Sequence, residues 1–131
     1  MKSQYVSAWW KAAVPANWDA DENDSCVTFK PHKSSGVLQV SAAMKEAGPV
    51  TEDHLMEFAH QRIVNRQAKT VETARFNGIS VGYVNNDQFW KEWWLRSGSL
   101  MLYITYVVKI DQQGIEDAAI DEFIRCLEPL S

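Results

Sequence analysis

Residues Gln88 to Ile110, QFWKEWWLRSGSLMLYITYVVKI, constrain the fold more than any other part of the chain: two apolar, aromatic runs of strand length meet at Ser97-Gly98. If Ser97 and Gly98 form a two-residue loop, Arg96 faces Ser99, Leu95 faces Leu100, Trp94 faces Met101, Trp93 faces Leu102 and Glu92 faces Tyr103. Side chains alternate across a strand and directly opposed residues share a face. Phe89, Trp93, Leu95, Leu100, Leu102, Ile104 and Tyr106 then form the core side, with Lys91 the one charged residue among them. Trp90, Glu92, Trp94, Arg96, Met101, Tyr103 and Thr105 form the other side, mixed in polarity and rich in large flat side chains. A slip of one residue would exchange the two sides.

The chain has 131 residues, of which 46% are hydrophobic, enough for one domain, spanning 1–131, to bury a core without staples. Its formal net charge of −4 and pI near 5.3 disfavour a nucleic-acid partner, which needs clustered Lys and Arg. The N-terminal segment lacks the sustained apolar stretch of a signal peptide, and the longest apolar run, Leu100 to Val108, falls short of the roughly 20 residues that span a bilayer. A soluble, cytoplasmic protein with no membrane association is expected. Cys26 and Cys126 lie far apart with no C-x-x-C spacing and read as buried reduced thiols.

Along the chain, Tyr5 to Val14 reads as a strand with Trp10, Ala12 and Val14 on one face, ended by Pro15. Asn17 to Ser25 reads as a polar loop, and Ser25 to Lys30 and Val37 to Ala43 as strands. Thr51 can cap a helix running to about Gln67, with Glu52 and Asp53 at its positive end and Leu55, Phe58, Ala59 and Ile63 as its buried stripe. Thr70 to Phe76 suits an edge strand. Ile79 to Asn85 is a strand that turns at Asn85-Asn86-Asp87 into the hairpin, and a closing helix from Ile115 to about Leu127 offers Ile120, Phe123, Ile124 and Leu127. The order βββα-βββα predicts an α+β fold, a curved antiparallel sheet of about six strands with helices packed on it.

The segment Val14-Pro15-Ala16-Asn17-Trp18 after the first strand, Asn77-Gly78 before the strand that precedes a Trp-rich hairpin, and the order of elements together resemble the PsbP-like superfamily. The resemblance spans most of the chain and implies a curved antiparallel sheet with helices on both faces, used mostly to bind other proteins. It carries no functional residue onto this sequence, because no site motif matches.

Candidate chemistry is sparse. Asp19, Asp21 and Asn23 fit three positions of a calcium loop, but Asp24 stands where that loop needs Gly and Lys30 where it needs Glu, so a solvated acidic loop is expected. His32, His54 and His60 have no metal-binding spacing and are expected in solvent; no metal or cofactor is implied. Cys26 would serve as a hydrolytic nucleophile only with a histidine beside it. The sequence therefore favours a non-enzymatic binding protein, of accessory, regulatory or toxin-neutralising type, that recognises another protein through Trp90, Trp94, Met101 and Tyr103, since Trp, Tyr and Met are enriched in interfaces. Two expectations compete with this one. In one, the closing helix covers the aromatic face; in the other, the protein is a small-molecule carrier with an apolar pocket between sheet and helix, lined by Trp9, Trp93 or Tyr106. An unpaired sheet edge leaves a homo-oligomer open.

Overall fold

The computed structural model describes residues 2–63 and 67–130. Ten strands and two helices follow in the order β1 (Lys2–Val6), β2 (Trp10–Pro15), β3 (Trp18–Glu22), β4 (Val27–Pro31), β5 (Val37–Met44), α1 (Glu52–Ile63), β6 (Lys69–Glu72), β7 (Asn77–Asn85), β8 (Gln88–Ser97), β9 (Leu100–Lys109), α2 (Asp117–Arg125) and β10 (Glu128–Pro129). Seven of the strands form one antiparallel sheet in the order β3-β4-β5-β9-β8-β7-β6. A second sheet, β1-β2-β10, and helix α2 pack on one face of it, where Trp10, Phe29, Trp93, Leu102 and Phe123 meet in the larger core. Helix α1 lies on the other face, over Val81, Trp94 and Met101. The fold is α+β and mostly antiparallel.

The sides of the hairpin sort as the alternation requires: Trp93, Leu95, Leu102 and Ile104 belong to the larger core, and Trp94 and Met101 to the core under α1. The register differs from the expected one by two residues. Ser97 pairs with Leu100, Arg96 with Met101 and Leu95 with Leu102, so the loop is Gly98-Ser99. Gly98 has φ +57° while Ser99 does not enter the positive region, which matches a connection with glycine at its first central position. A shift of two residues preserves parity, so both faces survive it. At the neighbouring turn, Asn85 pairs with Gln88, and Asn86 and Asp87 both have positive φ, a conformation that short polar side chains tolerate.

Other expectations are corrected as well. The first strand is two, β1 and β2, folded back on each other so that Tyr5 faces Ala12. The segment read as a polar loop is in part strand β3: Trp18 is buried as its anchor, and Asp19 lies opposite Lys30 on β4, so the acidic residues sit along a sheet edge. Helix α2 does not cover the Trp94 side of the sheet. Its stripe, Ile120, Phe123, Ile124 and Leu127, is buried against the opposite side, and α1 covers the Trp94 side. The part of the first helix expected over residues 64–66 lies outside the described residues. Thr70 to Phe76 is a strand only to Glu72, and Phe76 is buried in the larger core.

Candidate functional site

The connection from β5 to α1 sets up the site. Lys45 N–H donates to Ser99 O at 2.8 Å, Val50 N–H to Gly98 O at 2.7 Å, and Ser99 Oγ to Gly48 O at 2.8 Å. Arg96 adds a bond from Nη1 to Val50 O at 3.2 Å and one from Nε to Asn77 Oδ1 at 2.7 Å. These bonds pin the chain to the tip of the hairpin and start α1 across the outer face of the sheet. Thr51 caps the helix: His54 N–H donates to Thr51 Oγ1 at 3.2 Å, and Thr51 N–H donates to His54 Nδ1 at 3.0 Å. The histidine takes the place that Glu or Gln holds in a reciprocal capping box.

The helix covers part of the outer face. Leu55 and Ala59 are buried against Trp94 and Met101, which leaves Trp94 2% exposed. Phe58, expected in the buried stripe, is 65% exposed. Beneath and beside it lie two adjoining open cavities that share Phe58 and Met101 as walls. One, of about 300 Å³, is lined by Ala43, Met44, Lys45, Val50, His54, Phe58 and Met101. The other, of about 310 Å³, is lined by Phe58, Trp94, Met101 and Tyr103. They form an apolar trough between α1 and strands β5 and β9, open to solvent.

Of the four residues singled out from the sequence, Trp94, Met101 and Tyr103 line this trough together. Trp90 does not; it stacks on Tyr83, with ring centroids 6.4 Å apart and planes 4° from parallel. Trp94 stacks on Tyr103 at 5.5 Å. Between the two stacks lies Glu92, 1% exposed, whose carboxyl oxygens accept the hydroxyl protons of Tyr83, at 2.6 Å, and Tyr103. A buried carboxyl needs such donors, so this arrangement holds two of the aromatic residues in place. The sequence already placed Glu92 on the same side as Trp90 and Trp94; its two tyrosine partners are diagonal neighbours on the flanking strands.

Two of the three residues named for a carrier pocket lie together. Trp93 and Tyr106 border a cavity of about 80 Å³ with Lys91, Asp117 and Asp121, and Trp9 is not part of its lining. Lys91 reaches over the Trp93 ring, with Nζ 5.1 Å from its centroid. Burial, together with the nearby carboxylates of Glu116 and Asp117, pushes the Tyr106 phenol up to about 12.

Cys26 is half-buried, and the polar neighbours of its Sγ are Asn23 Nδ2 at 3.8 Å and Thr28 Oγ1 at 4.0 Å. Cys126, expected inside, is exposed: it is the C-terminal cap of α2, and Leu127 takes the core position beside it. His32 is exposed and lies 3.0 Å from Asp19, His60 is exposed, and His54 is half-buried at the cap. Among the described residues no group of three or more His, Cys, Asp or Glu side chains is placed to hold a metal ion, and no helix is long and apolar enough to cross a membrane.

Two solved structures resemble this arrangement. A crystal structure from Bacteroides thetaiotaomicron VPI-5482 superposes with a TM-score of 0.72 at 14% identity, over 98% of this chain and 48% of that one. The solution structure of the cyanobacterial PsbP, CyanoP, from Synechocystis sp. PCC 6803 superposes with a TM-score of 0.52 at 12% identity, over 98% of this chain and 92% of that one. The fold is PsbP-like. At these identities the likeness extends to the fold alone, and the chain spans about half the length of the Bacteroides protein. No protein-family model matches the sequence, and no curated protein matches it.

Proposed function

We propose that this is a binding protein which recognises another protein by accepting that partner's apolar side chains in the trough beside α1. The observation that carries this reading is Phe58, an aromatic ring 65% exposed on a helix that buries Leu55 and Ala59, standing over a floor of Met101, Trp94 and Tyr103. Methionine adapts its shape to varied partners, and aromatic anchors dominate the energetics of interfaces. Met44, also exposed, extends the apolar surface along β5. An accessory, regulatory or toxin-neutralising role in a bacterial cytoplasm is compatible with such a surface. Photo-crosslinking tests it: a benzoylphenylalanine at position 58 captures one defined partner in the native host, whereas the same group at Ile115, exposed in the turn before α2 and outside the lining of the trough, does not. Equal labelling from both positions overturns the reading.

A second reading, a small-molecule carrier, is favoured by the dimensions of the trough. Each of its two cavities, at about 300 Å³, reaches the lower end of ligand-pocket sizes, and the walls are mainly apolar.

A further inference from the structure

We propose that the trough beside α1 binds a medium-chain alkyl carboxylate, with the hydrocarbon tail against Phe58, Met44 and Met101 and the carboxylate facing Lys45 and His54. This inference rests on the second reading above and names the chemistry of its ligand.

The argument is one of charge complementarity. The chain carries four more acidic than basic side chains, yet the ionisable residues lining the cavity beside Met44 and Val50 are Lys45 and His54, with no Asp or Glu among them. Lys45 Nζ donates to Pro49 O at 3.3 Å, which holds the ammonium at the rim and leaves further N–H groups for an anion. His54 Nδ1 accepts the N–H of Thr51, so in the neutral ring the proton resides on Nε2 and that nitrogen is a donor. The apolar walls fit a saturated chain, which has no polar atoms of its own to satisfy, and Lys45 can lay its own methylene stem along the same surface. A neutral chain would leave both donors without an anionic partner. A cationic one would meet like charge.

Decanoate and decanol, titrated separately into the protein at low ionic strength and followed by tryptophan fluorescence, test the assignment, because Trp94 lines the trough. Decanoate is expected to bind at least ten-fold more tightly than decanol. The gap should narrow to about two-fold in Lys45→Ala, a substitution at an exposed side chain whose effect on the fold is checked by circular dichroism. Equal affinities for the two probes overturn the inference while sparing the carrier reading. A gap that persists undiminished in Lys45→Ala overturns the placement of the carboxylate. Binding of neither probe overturns the inference and the carrier reading together.

Discussion

Gly78 has no room for a side chain. A Cβ there would lie 1.9 Å from the backbone oxygen of Trp94 on the paired strand. Backbone cannot yield as a flexible side chain does, so Gly78→Ala is expected to cost about 3 kcal/mol or more, measured by urea unfolding. Gly82, on the same strand, is the control. Its Cβ would meet Phe89 side-chain atoms at 3.4 Å, so Gly82→Ala should be tolerated far better. A second residue-scale prediction concerns Tyr106. Its phenol titrates near 12 in the folded protein against 10 for an ordinary tyrosine, so the folded state holds this proton more tightly than the unfolded chain does. The resulting contribution to stability is complete below pH 10 and is lost as pH rises from 10 towards 12. Denaturation followed across that window should show stability falling with pH, and Tyr106→Phe should flatten the fall. A decline of equal steepness in the variant would assign it to other groups.

At the scale of elements, α1 shows how much was legible in sequence. The alternation of Trp93, Leu95, Leu102 and Ile104 against Trp94, Met101 and Tyr103 fixed which hairpin side chains face together, because burial acts on every second residue. The loop was misread because both Ser97-Gly98 and Gly98-Ser99 place a glycine in the turn, and only the backbone angles choose between them. Strand β3 reads as a loop in sequence because its residues, apart from Trp18 and Ala20, are acidic: a strand exposed at every position after its first carries no alternation to read. The periodic stripe of α1 also promised more than it delivered. A spacing of three and four residues admits Leu55, Phe58 and Ala59 alike, but Phe58 falls beyond the edge of the contact with the sheet, and no pattern in the helix alone marks that edge. Nor did anything in sequence say which helix would cover which face, since that is decided by the bonds from Lys45, Val50 and Gly48 to the hairpin tip. Two substitutions on α1 should therefore part company. Leu55→Ala empties a buried position and is expected to cost about 2–5 kcal/mol, whereas Phe58→Ala should change stability by about 0.5 kcal/mol or less, both by chemical denaturation.

For the whole molecule, the seven-stranded sheet is a scaffold with unequal covers. One face is sealed by α2 and the small sheet, and its large aromatic residues serve the core. The other is crossed by a single helix that leaves the trough open along β5 and β9. The aromatic face nominated from the sequence is thus divided in use: Trp90 is held in a stack with Tyr83, while Trp94, Met101 and Tyr103 form the floor of the trough. What the sequence did not reveal was the rim, which depends on where α1 lies. The proposal is that Phe58, standing over this floor, recognises a partner without itself holding the fold together. Phe58→Asp puts that claim to its most direct test, with thermal unfolding and partner capture from the native host measured on the same preparation. The account predicts an unfolding midpoint unchanged within about 2 °C, as an exposed substitution should give, and loss of the captured partner. Retained capture at an unchanged midpoint would contradict it.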